Sequence, residues 1–453
     1  MNESLAIPSD QVEIPYSILD TDLYKFTMQC AVLHHFYDAI VTIKFTNRSP
    51  QMLFSRESFD WIQERINRLS TLQLTRTERS ALCEACPYFP PSYLDYLSSL
   101  ILRPQDQVKL TFIPKEGEMG ELECLIEGVW RDCIIYEVPI MSIMSEAYFK
   151  FVDTDWDLND VVDQARLKAL ALLSPPSPIQ PLLFTELGTR RRRSFRVHDL
   201  VVQGLVKGSD EWKASNGKVG GLGGTSNVSL EMDVPIPILS TFEIHVSALI
   251  IVSALVTSGS WRLVPFMDTK APTLEAWRFY PRGPYAPPLT MLTDTFTAHT
   301  FFAEFIKDTT RAIRWGSLRQ DSGDPFEFVK KAKEVWAKVE EKAGLKSDDG
   351  VVAKGKRVLF TDSLDVEKAI QLQKCCDELE IGASFGIGTS LTNDFQKASN
   401  PSKTSKPLNI VIKLSTVDGK NCVKLSDDKG KHTGDLDEVK RVQKELNLPE
   451  ARR

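Results

Sequence analysis

The chain has 453 residues, of which 42% are hydrophobic and 26% are charged, a composition typical of folded globular proteins. Two domains are the natural expectation at this length, because one hydrophobic core seldom serves so long a chain. The formal net charge of −6 argues against nucleic-acid binding as the main function. A local basic cluster can still bind a small anionic substrate.

The sequence also bears on where the protein is located. Its first residues lack a basic region followed by an apolar stretch, so no secretory signal is predicted. The longest apolar run, residues 246–256, is about half of the roughly 20 residues that span a bilayer. We therefore expect a cytoplasmic protein, with a nuclear fraction left open, and neither a membrane nor a nucleic-acid partner.

The first third of the chain mixes helix and strand patterns. Asp20-Thr-Asp-Leu-Tyr-Lys25 precedes a helical pattern, and Thr21 or Asp22 is expected to cap that helix. Helices are also predicted from residue 55 to residue 100. Strands are predicted at residues 41–46, 108–113, 121–128 and 133–138. This mixture predicts an α+β unit.

A basic run follows the helical residues 140–173 and a proline-rich loop. In Thr185-Glu-Leu-Gly-Thr-Arg-Arg-Arg-Arg-Ser194, an apolar stretch passes into a helical pattern that begins at Phe195. Ligands of α/β proteins bind at such strand-to-helix junctions. Four consecutive arginines cannot all face one way, so we expect one or two to face a site. A solvated basic turn is the alternative.

Repeated βα units fill the middle of the chain. Asp324-Pro-Phe-Glu327 has the residues of a helix start, and Asp365 is expected to cap a further helix. Strands at residues 356–360 and 383–385 complete units that fit either a barrel or a doubly wound sheet. The end of the chain differs, since Asp418-Gly419 predicts a hairpin and residues 437–446 a final helix. Strand-rich ends around a βα middle indicate a discontinuous cap domain.

Polar residues follow several of the predicted strands. Helix capping does not account for Arg319 and Asp321, and an arginine fork suits a carboxylate or a phosphate. Carboxylates nearby would bind Mg²⁺ or a ribose hydroxyl. Gly386 and Gly388 let backbone N–H groups approach an anion, and Thr389 adds a hydroxyl donor. A dinucleotide fold is disfavoured, because the third glycine of its motif is missing.

Taken together, these motifs resemble the nicotinate phosphoribosyltransferases, in a fungal-type version. The resemblance runs from about residue 19 to about residue 448, apart from one segment. It is carried by Thr21-Asp-Leu-Tyr-Lys25, Thr185-Glu-Leu-Gly-Thr-Arg-Arg-Arg-Arg-Ser194, Gly224-Thr-Ser-Asn227, Leu292-Thr-Asp-Thr-Phe296, Arg319-Gln-Asp-Ser-Gly-Asp-Pro325, Thr361-Asp-Ser363, Phe385-Gly-Ile-Gly-Thr389 and Lys424-Leu-Ser-Asp427.

The resemblance implies a fold and an assembly. The fold would be that of a type II phosphoribosyltransferase, with an irregular α/β barrel over residues 140–402. An α+β cap domain would be formed from both chain ends, residues 1–139 and 403–453. The protein would be a homodimer with sites shared across the interface.

The resemblance also implies a reaction and roles for single residues. Nicotinate and phosphoribosyl pyrophosphate would give nicotinate mononucleotide and pyrophosphate for NAD salvage, with Mg²⁺ and with ATP as a hydrolysed co-substrate. Tyr24 would stack on the nicotinate ring in the partner subunit's site. The remaining assignments are Arg319 for the nicotinate region, Arg190 for a substrate carboxylate or phosphate, Gly386, Gly388 and Thr389 for the 5′-phosphate, and Asp321 and Asp362 as catalytic residues that hold ribose hydroxyls or Mg²⁺.

The atypical segment, residues 229–288, departs from the family pattern. The family carries Gly-Thr-x-x-His-Glu there, and its histidine takes phosphate from ATP. Aligning Ser240-Thr241 with Gly-Thr leaves His245 one place late, which on a strand turns a side chain to the opposite face. His245 is therefore a poor phosphohistidine candidate, and Thr241 would contact substrate only if this alignment holds.

Three alternatives follow. The atypical segment could come from a misread exon or a retained intron in the gene model. The chain could instead be a catalytically impaired homologue that binds nucleotide or partners without ATP-coupled turnover. A nicotinamide-preferring relative fits less well, because a pocket arginine suits a carboxylate better than an amide.

Overall fold

The computed structural model describes residues 13–215, 219–233, 290–345, 355–428 and 431–448. Thr241 and His245, with nearly all of the atypical segment, lie outside these ranges. No helix within them is long and apolar enough to cross a membrane.

The elements of the described residues are numbered in chain order. The strands are β1 (Ile40–Asn47), β2 (Phe54–Ser55), β3 (Val108–Glu116), β4 (Met119–Val129), β5 (Leu183–Glu186), β6 (Gly221–Thr225), β7 (Thr290–Leu292), β8 (Ser317–Gln320), β9 (Arg357–Phe360), β10 (Gly382–Ile387), β11 (Phe395–Lys397), β12 (Asn400–Ser405), β13 (Ile410–Val417) and β14 (Lys420–Asn421). The helices are α1 (Tyr24–His35), α2 (Arg56–Arg68), α3 (Arg76–Ala85), α4 (Pro91–Ser99), α5 (Pro104–Gln107), α6 (Trp130–Cys133), α7 (Glu137–Phe151), α8 (Val161–Leu173), α9 (Phe195–Ser215), α10 (Val228–Asp233), α11 (Ala298–Phe305), α12 (Thr309–Arg314), α13 (Pro325–Lys342), α14 (Val366–Glu378), α15 (Thr389–Thr392) and α16 (Leu436–Glu445). Short 3-10 helices cover Leu69–Thr71, Ile134–Tyr136 and Thr189–Arg191.

An antiparallel sheet joins the two ends of the chain. Strand β1 lies between β4 and β13, so that Ile43 faces Ile126 on one side and Phe45 faces Ile412 on the other. Ile412 belongs to the same buried cluster as Phe26 and Ile126. The prediction of an α+β cap formed from both chain ends is therefore confirmed. Its boundaries at residues 139 and 403 stay predictions.

The second sheet is parallel and has the order β6-β5-β10-β9-β8-β7. From β7 to β10 each strand lies beside its sequence neighbour, and β10 then pairs with β5, with Phe385 opposite Phe184. In a barrel, strands follow one another around the wall in sequence order, and a late strand pairs with the first one. The strand order of this sheet has both features. Phe184, Phe360 and Phe385 are fully buried, as expected for parallel strands covered on both faces. The barrel, and not the doubly wound sheet, is confirmed.

Local signals placed several elements correctly. The Asp324 side chain accepts hydrogen bonds from the backbone of Phe326 and Glu327 at the start of α13. Asp365 caps α14 in the same way. Asp418 and Gly419, both with positive φ, form the turn between β13 and β14. These predictions rested on interactions within four residues, and each is confirmed.

Two local predictions are wrong. Residues 133–138, predicted as a strand, are helical, because a short apolar run buried on all sides does not distinguish the two states. The N-cap position of α1 is Leu23, which makes no side-chain cap. The Asp22 carboxylate instead accepts a hydrogen bond of 2.7 Å from Ser226 Oγ. The Asp22 side chain, which was predicted as a possible cap of the helix, therefore makes a tertiary contact instead.

The end of the chain forms a small hydrophobic cluster of its own. Val423, Leu425, Val439 and Val442 pack with Phe296, apart from the cores of the cap and the barrel. Residues 423–428 and 431–433, which we call the C-terminal segment, are thereby held beside the barrel rather than on the antiparallel sheet. Because of this placement, lysine side chains of the C-terminal segment line the site described next.

Candidate active site

A cleft of about 580 Å³ opens at the carboxyl ends of the parallel strands. One wall consists of the loops that follow β5, β8, β9 and β10, and the other is formed by β13 and the C-terminal segment. Its lining includes the basic residues Arg48, Arg190, Arg191, Arg319, Lys413, Lys424 and Lys431, and the acidic residues Asp294, Asp321, Asp362, Asp365 and Asp394. Although the whole chain is acidic, the charge balance of this cleft therefore favours an anionic substrate.

The four consecutive arginines divide into two pairs. Arg190 and Arg191 line the cleft. Arg192 and Arg193 are fully buried, so the alternative of a solvated basic turn is wrong. The division arises because the 3-10 turn ends at Arg191, and Arg192 has extended backbone with ψ of 152°.

The buried pair is held by specific partners. Arg192 forms two parallel hydrogen bonds of 2.7 and 2.6 Å with the carboxylate of Asp20. The Arg193 guanidinium lies 3.7 Å from the ring centroid of Phe149 and 4.5 Å from that of Phe395. It also donates to the Ser405 hydroxyl at 2.8 Å. These two arginines stabilise the junction of cap and barrel and do not reach the cleft.

Arg190 lies beside Tyr24 at one end of the cleft. Its guanidinium is 5.9 Å from the ring centroid of Tyr24 and 3.6 Å from the carboxylate of Asp22. The Tyr24 hydroxyl donates to Glu137, which also pairs with Lys25 at 2.5 Å. Burial alone would raise the pKa of Glu137, but the cations of Lys25, Lys413 and Arg190 hold that pKa at about 2. Tyr24 and Arg190 of one chain are thus brought together around an ionised carboxylate.

Arg319 and Asp321 form a fixed pair at the end of β8. Arg319 donates to the Asp321 carboxylate and to the Thr361 hydroxyl, both at 2.9 Å. Thr361 in turn donates to Asp321 at 2.5 Å. Burial opposes ionisation of Asp321, yet Arg319, Lys424 and the Thr361 hydrogen bond bring its pKa well below the usual range. Asp321 therefore orients the plane of Arg319 as an ionised partner.

Asp362 differs from Asp321 although both line the cleft. It accepts a hydrogen bond of 3.1 Å from the Ser363 hydroxyl. Burial raises its pKa, and the negative charge of Asp321 raises it further, against the opposing effect of Lys431. Two carboxylates that repel each other beside a cleft favour an additional cation or a hydroxyl donor between them.

The glycines at the carboxyl end of β10 are required by close packing. A Cβ at Gly386 would lie 2.3 Å from Leu187 Cδ1, and one at Gly388 would lie 2.9 Å from the carbonyl oxygen of Leu187. The loop after β10 therefore lies directly against the loop after β5. Thr389, at the start of α15, lies on the lining of the cleft, as does Arg190.

Sequence reasoning missed several residues that line the cleft. Arg48, Arg191 and Lys413 had no assigned role, and Lys424 was recognised only as part of a motif. Lys424 Nζ is 2.9 Å from the buried carboxylate of Asp294. Burial lowers the pKa of Lys413 to about 8, and repulsion from Lys424 and Arg190 contributes. The available signal was a charged residue within the apolar run of β13, Ile410-Val-Ile-Lys413.

A cationic cleft at the carboxyl ends of barrel strands, with carboxylates beside the cations, defines an α/β-barrel enzyme for an anionic substrate. Two family models match the chain: the nicotinate phosphoribosyltransferase N-terminal domain over residues 19–145, and the nicotinate phosphoribosyltransferase family over residues 182–450. The chain therefore belongs to the nicotinate phosphoribosyltransferase family, and the predicted family is confirmed.

Individual relatives agree with this assignment. The nicotinate phosphoribosyltransferase of Saccharomyces cerevisiae is 37% identical over 439 residues, which are 96% of this chain and 95% of that protein. A crystal structure from Saccharomyces cerevisiae superposes with a TM-score of 0.83 at 37% identity, over 97% of this chain and 99% of that one. The crystal structure of nicotinate phosphoribosyltransferase from Porphyromonas gingivalis gives a TM-score of 0.77 at 31% identity, over 96% of this chain and 100% of that one.

Proposed function

We propose that this chain joins nicotinate to phosphoribosyl pyrophosphate, giving nicotinate mononucleotide and pyrophosphate for NAD salvage. The observation that carries the proposal is the convergence of Arg190, Arg319, Asp362 and Thr389 on one cleft in a member of this family. These residues come from the ends of different strands, where catalytic groups of α/β barrels are found. The enzyme would act in the cytoplasm, with a nuclear fraction left open.

Each end of the cleft suits one part of the substrates. Tyr24 is proposed to offer an aromatic face to the nicotinate ring in the partner subunit's site, while Arg190 and Arg319 offer planar donors to the nicotinate carboxylate. Thr389, with the backbone of Gly386 and Gly388, is proposed to hold the 5′-phosphate. Arg48, Arg191 and Lys424 supply positive charge for the pyrophosphate.

Mg²⁺ is proposed as a cofactor, and the residues present fit it in a limited way. Within the described ranges, no group of three or more His, Cys, Asp or Glu residues is arranged to hold a metal ion. Mg²⁺ commonly uses one or two carboxylates and takes its other ligands from substrate phosphates and water. The Asp362 carboxylate meets that need better than Asp321, whose Oδ1 already accepts from Arg319 and Thr361. Bound Mg²⁺ would neutralise charge on the diphosphate.

The chemistry asks mainly for positioning and charge stabilisation. The bond from the ribose carbon to the pyrophosphate oxygen breaks while a bond to the nicotinate nitrogen forms, so positive charge develops on the sugar and negative charge on the leaving group. The arginines and lysines of the cleft would stabilise the leaving group, and Asp321 and Asp362 are proposed to stabilise the sugar. No nucleophile from the protein is needed.

ATP hydrolysis is proposed as in the family, but its acceptor is open. His245 and Thr241 fall within the atypical segment, outside the described residues. The competing proposal is a catalytically impaired homologue, and the departure of residues 229–288 from the family motif is what favours it. A shared active site in a homodimer is a further part of the proposal, and analytical ultracentrifugation of the purified chain tests it.

Turnover by the chain as written is the deciding experiment. Nicotinate mononucleotide is measured from nicotinate and phosphoribosyl pyrophosphate with Mg²⁺, with and without ATP. The variant Arg319→Ala is expected to lower kcat/KM about 100-fold or more, because it removes the guanidinium donors from the cleft and the arginine partner of Asp321. The matched control is Arg441→Ala, which changes an arginine of α16 whose side chain is 47% exposed.

Each result separates the alternatives. Turnover that ATP does not change means that the barrel is active and that energy coupling is lost. Stimulation by ATP points to His245 or another phosphate acceptor. No turnover, with activity in a version carrying a restored Gly-Thr-x-x-His-Glu segment, supports the gene-model hypothesis, which transcript sequencing checks directly. Ligand binding without turnover in both versions supports the impaired homologue.

A further inference from the structure

The turn that carries Arg190 and Arg191 is fastened from two sides. Ser142 and Ser145 of α7 donate to the carbonyl oxygens of Thr189 and Arg192, at 3.0 and 2.7 Å. Asn393 donates to the carbonyl oxygen of Arg191 at 2.8 Å. These hydrogen bonds to carbonyl groups fix the backbone conformation of the turn, and therefore the direction in which the two cleft arginines leave it.

Beneath this turn lies a chain of four buried polar side chains, which we call the buried relay: Asp20, Arg192, His198 and Glu186. His198 and Arg192 are 0% exposed, and Glu186 is 1% exposed. Arg192 binds Asp20, and its Nη1 atom also lies 3.4 Å from His198 Nδ1. His198 Nε2 lies 2.7 Å from the Glu186 carboxylate.

The donors and acceptors of the relay fix the state of its histidine. An arginine side chain only donates, so His198 Nδ1 must accept from Arg192. The ring proton then sits on Nε2 and is donated to Glu186. His198 thereby links a buried arginine to a buried carboxylate, and replacing either ring nitrogen by a carbon removes one of these two contacts.

The relay ends on the backbone of the arginine turn. The second oxygen of Glu186 accepts from the Gly188 amide, at the point where the turn begins. Thr225, at the end of β6, donates to Glu186 at 2.5 Å, and Asn227 donates to Asp20 at 2.8 Å. Asp20 lies four residues before Tyr24, so the same relay also fixes the segment that leads to α1.

We propose that His198 is a positioning residue that sets nicotinate affinity, by fixing the turn that carries Arg190 and, through Asp20, the segment that leads to Tyr24. The inference rests on the proposed function, because that function makes nicotinate the ligand of Tyr24 and Arg190. His198 contributes no atom to the cleft lining. Its effect on binding passes through Glu186 to Gly188, and through Arg192 to Asp20.

Two substitutions of His198 test the proposal. His198→Leu removes both nitrogens at similar volume, and it is expected to raise the KM for nicotinate about tenfold while changing the KM for phosphoribosyl pyrophosphate much less. His198→Gln offers an amide oxygen to Arg192 and an amide N–H to Glu186, so it is expected to restore the nicotinate KM to within about threefold. The control is Val201→Ala, which alters a buried side chain of the same helix outside the relay.

The separation of KM from stability distinguishes positioning from a structural role. A thermal midpoint lowered in all variants, with nicotinate KM raised only in His198→Leu, supports the proposal. Unchanged KM in His198→Leu overturns it, and so does an equal rise in Val201→Ala. If His198→Leu does not fold, Glu186→Gln takes its place, and unchanged nicotinate KM there overturns the proposal.

Failure of the proposed function would be recognised separately. If the unsubstituted chain does not turn over, the dissociation constant of nicotinate mononucleotide is measured by calorimetry on the same variants. A weaker affinity in His198→Leu, restored in His198→Gln, then supports the relay although the enzymatic proposal has failed. Absence of binding by the unsubstituted chain overturns both.

Discussion

Neighbouring arginines in this chain have different surroundings because the backbone changes direction between them. Arg191 belongs to the 3-10 turn and lines the cleft, whereas Arg193 lies among the rings of Phe149, Trp156 and Phe395. Burial lowers the pKa of Arg191 to about 10, and repulsion from Arg190 and Arg48 contributes. Such a group costs free energy in the folded state unless an anion lies beside it.

The substitutions Arg191→Ala and Arg193→Ala are therefore expected to separate binding from stability. Arg193→Ala should lower the free energy of unfolding by roughly 3 kcal/mol, because it leaves a cavity and unpaired partners in a buried site. Arg191→Ala should change stability by less than about 0.5 kcal/mol and raise the KM for phosphoribosyl pyrophosphate about tenfold. Urea unfolding and steady-state kinetics measure the two effects. Equal loss of stability in both variants would contradict the structural division of the run.

At Asp362 the proposed function and the stability of the fold make opposite demands on one side chain. Its folded-state pKa is raised above the ordinary value of 3.8, so the folded protein disfavours the ionised form. The contribution of this group to stability is therefore most favourable at low pH and falls as pH rises through the folded pKa. Near neutral pH the ionised side chain is retained at a cost to the free energy of unfolding.

Asp362→Asn should consequently raise the thermal midpoint slightly at pH 7 while lowering kcat about 100-fold, since the amide cannot stabilise positive charge. Calorimetry and initial rates on the same preparation measure both. The control is Asp437→Asn, at a side chain that is 94% exposed. A variant with full activity would remove Asp362 from the proposed mechanism.

At the scale of the element, the C-terminal segment decides how the cleft is closed. Asp427 accepts from the Ala298 amide with both carboxylate oxygens, and Asp428 accepts from the Gly323 amide. The Leu425 amide donates to the carbonyl oxygen of Thr295. These bonds join the segment to the loops after β7 and β8, and the segment in turn brings Lys424 and Lys431 to the cleft.

The attachment of this segment is expected to depend on pH. Burial raises the pKa of Asp427 to about 6, and repulsion from Asp294 and Asp428 adds to the effect. The folded state then binds a proton between about pH 4 and 6 that the unfolded state does not, so the Asp427 contribution weakens as pH rises through that window. Relative to Asp427→Asn, the free energy of unfolding should fall by about 1–2 kcal/mol from pH 4 to pH 7, after allowance for solvent screening. Urea unfolding at several pH values measures it, and a pH-independent difference would contradict the assignment.

At the scale of the whole molecule, the cap depends on both ends of the chain. Strand β1 is central in its sheet because β13 covers the edge that β4 leaves open. Leu408, Ile410 and Ile412 are buried in the same core as the N-terminal helices. An N-terminal piece alone would expose both the strand edge and this apolar surface.

A fragment of residues 13–145 is therefore expected not to fold cooperatively, even though a family model matches most of it. It should bind a hydrophobic dye and show a broad thermal transition. Appending residues 407–422 through a flexible linker should restore a cooperative transition, because it returns β13 and β14. Cooperative unfolding of the unextended fragment, measured by circular dichroism, would contradict this account of the cap.

The sequence by itself determined the family, the cap-and-barrel organisation, and the positions of several helix starts and turns. Asp324, Asp365 and the Asp418-Gly419 turn could be predicted because each depends on atoms within a few residues along the chain. The site motifs could be located for a related reason. They follow predicted strands, and carboxyl ends of parallel strands meet on one side of a barrel.

Only the tertiary structure decided which members of those motifs reach the site. Arg192 and Arg193 are buried, whereas Arg190 and Arg191 line the cleft. Asp22 accepts a hydrogen bond from Ser226 instead of capping a helix. Lys413 and Lys424, from the far end of the chain, also line the cleft. The physical reason is the same in each case. The free energy of a charged side chain depends on the burial and the partners that distant segments supply, and these are not encoded in its neighbours along the sequence.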